Sequence, residues 1–423
     1  MYFIADLHIH SKYSRATSKD MSPESIWKWA QLKGIAVIGT GDFTHPKWFK
    51  ELQEKLEPSG DGLFRLKDDF KSNDIPASCK AEVFFLLSAE ISCIYSKNRK
   101  TRKIHSIIFI SDFKDAVRLN IILSKIGNLT ADGRPILGID AKELLKIVKD
   151  LSHNSLLVPA HAWTPHFSVF GAESGFDSLE ECFEELSPHI YSIETGLSSD
   201  PPMNWRLSTL DRITLISNSD AHSPSKIGRE ANIFDTELSY NSIISAIKTK
   251  KGFLGTIEFF PEEGKYHFDG HRICGVSLSP KETVKFNYLC PVCGKRVTIG
   301  VMHRIEKLAD REEGFKPSDT PNYYSIIPLP EILAEALKVG VNSKAVDIAY
   351  YNLLQKLGSE FKILMDMPLK DIERASSLLI REAISRMRTG DIYITPGYDG
   401  EYGKIRIFEP VERKEIKGQA MLF

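Results

Sequence analysis

The first 220 residues carry a succession of short apolar runs, and one after another they contain or end in a histidine or a carboxylate. The first is Asp6-Leu7-His8-Ile9-His10, in which residues two apart share a strand face, so that His8 and His10 can reach one point together. Val83 to Ser88 runs into Glu90, and Ile104 to Phe109 carries His105. Leu156 to Ala160 delivers His161, Tyr191-Ser192-Ile193 delivers Glu194, and Thr214 to Ser219 delivers Asp220 and then His222. Between these runs, residues 23–33, 46–56, 141–150 and 240–248 read as helices. Strand and helix in alternation, with polar residues at strand ends, predicts a parallel α/β barrel whose site lies at the carboxyl ends of its strands. Packing alone asks for no charge at strand ends. Five histidines (His8, His10, His105, His161, His222) and two acids (Glu90, Asp220) therefore predict a polynuclear metal centre.

Such a centre has a definite chemistry. Two divalent ions close together lower the pKa of a bridging water, orient it for in-line attack and stabilise charge on the leaving oxygen. Histidine mixed with carboxylate suits zinc or manganese better than calcium. The expected reaction is metal-assisted hydrolysis of a phosphoester.

His8-Ile9-His10, Ala89-Glu90, Lys103-Ile104-His105, Pro159-Ala160-His161 and Ser219-Asp220-Ala221-His222 resemble, in order, the motifs of the PHP superfamily, the polymerase and histidinol phosphatase domain. The resemblance covers about residues 1–250 and implies a distorted barrel of seven strands and helices. It also implies that His8, His10, Glu90 and Asp220 hold one ion, and that Glu90 bridges to a second held with His105 and His161. His222 would belong to a third site, and Asp220 and His222 are the residues whose loss should abolish activity. The chain departs from the family pattern near that third site. Arg15 stands where an Asp is common, and the usual Asp-His pair appears as Asp42-Phe43-Thr44-His45. Asp42 or His45 then serves as ligand, with Asp20 a further substitute, and Arg15 is free to grip a substrate phosphate.

Beyond residue 250 the pattern changes. His271-Arg272-Ile273-Cys274 and Cys290-Pro291-Val292-Cys293-Gly294-Lys295 form two short ligand pairs, and Cys-x-x-Cys followed by Gly-Lys is a common zinc-ribbon half. A structural zinc on His271, Cys274, Cys290 and Cys293 is expected, with His267 as alternative fourth ligand. Cys79, Cys93 and Cys182 lack such spacing and read as core thiols. Six cysteines without a signal-like start or an apolar stretch of membrane-spanning length imply a reducing compartment, hence a cytoplasmic, nucleoid-associated protein. A net charge of -1 excludes a globally basic nucleic-acid binder. Lys265, Arg272, Lys281, Lys285, Lys295, Arg296, Arg304, Lys307, Arg311 and Lys316 nevertheless crowd the zinc segment, either as a phosphate-binding patch or as a solvated surface of mixed charge.

Three domains follow: a barrel over 1–250, a zinc-binding domain over 251–312, and a mainly helical DNA-binding domain over 313–423. In the last, Gly314 to Pro328 reads as a linker and Pro330–Lys338, Ser343–Leu357 and Leu369–Met387 as helices. The chain closes on Gln419-Ala420-Met421-Leu422-Phe423, which is similar to a shortened sliding-clamp-binding peptide, with an apolar tail docked on its own domain as the other reading.

The order of parts, with Gly270-His271-Arg272-x-Cys274-Gly275-Val276 and Pro396-Gly397-Tyr398-Asp399-Gly400-x-Tyr402-Gly403, resembles the endonuclease Q family along nearly the whole chain. That resemblance implies a DNA repair nuclease that nicks 5′ to uracil, hypoxanthine, xanthine and abasic sites, leaving 3′-hydroxyl and 5′-phosphate ends; zinc is expected in the catalytic cluster as in the structural site, with magnesium or manganese able to support catalysis. A damaged nucleotide would have to leave the stack, at a cost of a few kcal/mol. Glu194, Ser198, Ser199, Asn204 and Trp205 are expected in its pocket, and Trp163 to Phe167 as a second wall. Two other functions compete: a phosphatase of small phosphate monoesters, and a non-catalytic metal-binding scaffold.

Overall fold

Ser22 and Gly34 fix the first helix, Pro23–Lys33, at its two ends. The Ser22 side chain accepts from the Ser25 amide, Pro23 occupies the first turn, and Gly34 ends the helix at a positive φ of 90°. The same grammar sets Pro46–Lys55, Ala141–Leu151 and Tyr240–Thr249, capped by His45, Asp140 and Ser239, within a residue of the sequence expectation. The computed structural model describes residues 2–409 and Glu412.

These helices pack on a mixed α/β fold whose main sheet has 11 strands among the described residues. Phe3–Asp6 pairs parallel with Val37–Gly39, which pairs parallel with Phe84–Lys97. From there the direction alternates: Phe84–Lys97 runs antiparallel to Lys100–Ile110, and that strand antiparallel to Leu156–Pro159. Ser192–Glu194 and Thr214–Ile216 form a separate parallel pair. It is tied in at both sides, by the Ala162 amide on the Glu194 carbonyl and by the Ile9–Ala221 bridge back to the first strand.

The uniformly parallel arrangement is corrected by this register. Glu90 lies opposite Ile107 and His105 opposite Ser92, inside a long antiparallel hairpin rather than at strand ends. Alternation along the strand, not termination of it, turns both side chains to the centre.

The main sheet continues past residue 250. Phe253–Glu258 pairs with Ala231–Phe234, and Asn322–Ser325 adds parallel to Phe253–Glu258, so the segment read as a linker supplies an edge strand. Leu329–Leu337, Lys344–Leu357 and Leu378–Thr389 form the helical region, and the expected helix 369–387 is broken. It splits into Leu369–Ala375 and Leu378–Thr389 because the Ser377 side chain caps a new start at the Ile380 amide. This region is anchored to the first helix by a buried pair, Lys33 Nζ to Glu360 Oε2 at 2.7 Å. Glu360 also accepts from the Leu329 amide and the Tyr350 hydroxyl, which satisfies both of its oxygens. Among the described residues no helix is long and apolar enough to cross a membrane. Gln419, Leu422 and Phe423 fall outside the described residues.

One buried acid at the sheet's end has a measurable consequence. Glu258 is fully buried, and Thr195 and Ser217 hydroxyls donate to its Oε2 while Oε1 has no hydrogen-bond partner. Burial, reinforced by the negative charge of Asp200, pushes its carboxyl from 4.5 up to about 8. A folded-state value above the unfolded one contributes stability that is complete below 4.5 and is lost as pH rises through 8. Glu258→Gln is expected to gain on the parent by about 2–4 kcal/mol between pH 5 and pH 9. Parallel melting curves for the two proteins across that range would count against this.

Candidate metal centre

The strands and their loops bring six candidate ligands together, with Glu90 common to two sets. His8, His10, Glu90 and Asp220 offer ligand atoms that all lie within 4.8 Å of one another, and Glu90, His105 and His161 form a second such set. Glu90 faces both. Its Oε2 lies 3.2 Å from His10 Nε2 and 3.6 Å from His8 Nε2, and its Oε1 lies 2.8 Å from His105 Nδ1 and 3.1 Å from His161 Nε2.

The donor chemistry fits divalent cations. His10 Nε2 is 3.0 Å from Asp220 Oδ1, yet neither atom, nor His8 Nε2, makes a hydrogen bond although all three are buried. Converging orphan atoms of this kind are rare unless a cation satisfies them. Charge leads to the same place. Despite burial, His105, Arg134 and His8 hold the Glu90 carboxyl well below the usual carboxylate range. Against the opposing effect of burial, Glu194 and Glu90 raise His8, and Asp42 raises His10, well above the ordinary imidazole value. The buried carboxylates thus favour positive charge at this point, which divalent ions would supply.

The imidazoles of His8, His10 and His161 are aimed from behind, whereas His105 turns Nδ1 to Glu90. Glu194 accepts from His8 Nδ1 at 3.0 Å, and it also accepts from the His161 amide and the Asn218 side chain. Asp42 accepts from His10 Nδ1 at 3.0 Å, and its other oxygen takes the Ser11 amide and the Ser11 and Ser14 hydroxyls. Thr164 Oγ1 meets His161 Nδ1. Fixing the rear nitrogen in this way presents Nε2 forward and raises its basicity. Three non-glycine residues here hold a positive φ: Asp42 at 49°, His161 at 28° and Asp220 at 46°. Strain of about 1–3 kcal/mol each is typical of positions that function requires.

Several sequence-predicted residues are placed differently. Asp42 stands behind His10 rather than beside an ion, because all of its acceptor capacity is taken by His10, Ser11 and Ser14. His45 caps the helix Pro46–Lys55 through the Trp48 amide and stacks on Tyr13, away from both ligand sets. Asp20 bonds to Ser18 instead. His222 lies beside the first set, its ring 4.5 Å from that of His10, with Nδ1 donating to the Asp220 carbonyl at 2.8 Å. Arg15 is exposed, and the arginine that reaches the centre is Arg134, whose Nη1 lies 3.0 Å from Glu90 Oε2.

The expected pocket also resolves differently. Glu194 is buried beneath His8, and Trp163, Asn204 and Ser199 form a buried chain, Trp163 Nε1 to Asn204 Oδ1 and Asn204 Nδ2 to Ser199 Oγ. They brace the rim from inside. Trp205 packs against Tyr323. Ser198, with Thr164, Pro165 and His166, walls a cavity of 630 Å³ shared with Tyr266, His267 and Tyr402. Sequence reasoning missed Arg134, Arg229 and Asp6. Arg229 holds the Ser219 carbonyl, and Asp6 accepts from the Ser219 and Gly228 amides, fixing the loop that carries Asp220. Asp6 shares its strand face with His8, a signal the alternation contained; Arg134 sits in a loop that carries none.

His271, Cys274, Cys290 and Cys293 form a third set of converging ligand atoms. The Cys290–Cys293 turn is closed by the Gly294 amide on the Cys290 carbonyl. Desolvation and the neighbouring Cys293 and Cys290 thiols push Cys274 up to about 11, a crowding of sulfurs that a bound cation relieves. His267 is not among these ligands; it is buried beside Phe268 on the cavity wall. The basic segment divides. Arg304 is buried on the Phe170 and Phe176 carbonyls and Arg311 is paired with Asp211, whereas Arg272, Lys281, Lys285, Lys295 and Arg296 are exposed around the cysteine knuckles.

Comparison with known proteins adds the following. The family described as MJ0043 C-terminal domain matches residues 328–391. The protein MJ0043 of Methanocaldococcus jannaschii is 31% identical over 275 residues, 63% of this chain and 34% of that protein, so the chain spans about a third of that relative's length. The crystal structure of the lesion-specific endonuclease PfuEndoQ from Pyrococcus furiosus is 33% identical, with a TM-score of 0.84 and 97% of each chain covered. An endonuclease Q in complex with a 27-mer duplex bearing an abasic lesion at its active site is 32% identical, with a TM-score of 0.82, covering 97% of this chain and 98% of that one.

Proposed function

The chain belongs to the endonuclease Q family, and from that premise we propose that it is a metal-dependent DNA repair endonuclease. It nicks the phosphodiester 5′ to uracil, hypoxanthine, xanthine or an abasic site, leaving 3′-hydroxyl and 5′-phosphate. The observation that carries the reading is Glu90, whose two oxygens face two separate ligand sets.

His8, His10, Glu90 and Asp220 on one side, and Glu90, His105 and His161 on the other, would hold zinc, with magnesium or manganese able to support catalysis, and such ions would supply an activated water and charge stabilisation at the scissile phosphate. The protein's part is positioning. Glu194 and Asp42 hold His8 and His10 with Nε2 forward. With its Nδ1 proton on a carbonyl, His222 keeps Nε2 as an acceptor for an ion or a proton. His8, His10 and Glu90 are almost wholly enclosed, while the side chains of Asp220, Arg134 and His222 keep a quarter to a third of their surface open. Substrate enters on that side.

In this reading the seven strands from Phe3–Asp6 round to Thr214–Ile216 are the distorted (β/α)7 barrel of domain 1–250. Zinc on His271, Cys274, Cys290 and Cys293 organises domain 251–312, and 313–423 is the DNA-binding region. The 630 Å³ cavity takes the extrahelical nucleotide. Its size suits a nucleotide, Thr164 joins it to the ligand His161, and Tyr266 and Tyr402 offer stacking faces. Such an enzyme acts in the cytoplasm on the nucleoid.

The test uses end-labelled duplexes carrying uracil, hypoxanthine, an abasic site or no lesion, with magnesium or manganese. The expected result is a lesion-dependent nick on the 5′ side that Asp220→Ala lowers by at least about 10³-fold. Intact strands with every lesion and metal would overturn the proposal.

A further inference from the structure

Arg134 is a cation set against the carboxylate that both ion sites share. Its Nη1 lies 3.0 Å from Glu90 Oε2, the oxygen that also faces His8 and His10. The loop carrying it is pinned there. Asp132 Oδ1 accepts from the Arg15 and Arg134 amides, the Gly133 amide donates to the Tyr13 carbonyl, and a Cβ at Gly133 would collide with Asp42 Oδ2 and Ser14 Oγ. Only glycine lets the loop approach this closely.

A guanidinium here opposes metal binding twice over, by repelling the ions and by competing for a lone pair that one of them needs. The arrangement makes chemical sense if an anion arrives that needs the charge. Arg134 lies on the open side of the centre with Asp220 and His222, where a phosphate approaching the ligand sets would arrive.

We propose that Arg134 is a catalytic residue that leaves Glu90 Oε2 as the ions bind and donates to a non-bridging oxygen of the scissile phosphodiester, acting as a phosphate clamp. The role rests on the nuclease reading. Planar, two-pronged donation to phosphate is what arginine provides and lysine does not.

The test measures manganese affinity by calorimetry without DNA, and nicking of a lesion duplex at saturating manganese. In Arg134→Gln, manganese is expected to bind several-fold tighter while kcat falls about 10²–10³-fold, the range for loss of one transition-state donor. Arg134→Lys keeps the charge, so its manganese affinity should stay near the parent's and part of the rate should return. Manganese binding weakened in Arg134→Gln together with the loss of rate would show that Arg134 merely positions Glu90, and would overturn the clamp. An unchanged rate would overturn it as well. Parent protein that binds manganese yet nicks no substrate would sink the nuclease reading itself, a result distinct from either.

Discussion

Glu90→Ala is expected to empty both halves of the centre together and to lower nicking by about 10⁴-fold or more. Glu90 is the one carboxylate common to the two ligand sets, so its removal takes a ligand from each. It also takes away the carboxylate that His8, His10, His105, His161 and Arg134 all face, leaving Asp220 in front and Glu194 and Asp42 behind the rings of His8 and His10. By contrast, loss of a group behind a ligand, such as Glu194, costs about 10–100-fold in metal affinity. The fold should survive, because the strand Phe84–Lys97 is held by backbone pairing along its full length to Lys100–Ile110. The check is metal content per chain by elemental analysis beside a nicking assay, with Glu90→Gln as the variant of matched shape. Retention of two ions in the alanine variant would refute the shared-ligand role.

The second large effect concerns the cysteine knuckles. Cys290→Ser should release one zinc and unfold the segment around residues 269–298. Among the described residues the apolar cluster there is Leu278, Cys290 and Val297 with Cys274 and Val276 packed against it, far too small to hold a fold without metal. A four-ligand zinc contributes on the order of 10–16 kcal/mol to such a module. Arg272, Lys281, Lys285, Lys295 and Arg296 would lose their common platform, so DNA affinity should fall by about two orders of magnitude. Its dependence on salt should flatten by roughly 0.9 per lost phosphate contact. The two ions around Glu90 should remain bound. Fluorescence anisotropy at several salt concentrations measures this, and unchanged affinity and salt slope in a zinc-free variant would contradict it.

The candidate ligands were legible in the sequence because metal binding demands specific atoms. His8, His10, Glu90, His105, His161 and Asp220 come together, as do His271, Cys274, Cys290 and Cys293. What supports them was less visible. Asp42 and Glu194 are the same residue types as the candidate ligands, and it is the placement of their oxygens behind His10 and His8 that sets them apart. Strand direction was hidden for a related reason. An apolar run with a histidine in it reads alike whether the histidine ends a parallel strand or sits within an antiparallel hairpin, as His105 does. Helix starts at Ser22, Asp140 and Ser343 were readable from capping chemistry. The break at Ser377 was not, because the apolar period continues across it.

The ties between Asp6 and Ser219, 213 residues apart, and between Ile9 and Ala221 carry a consequence for how the molecule comes into being. During synthesis His8 and His10 emerge early and must wait for the strand that brings Asp220, since the set they belong to is complete only then. Closure over so long a separation is slow, and no ion can act as its nucleus. Metal therefore serves as a latch set after assembly. It prolongs the life of the closed ring in proportion to its affinity and leaves the speed of closing to the chain alone.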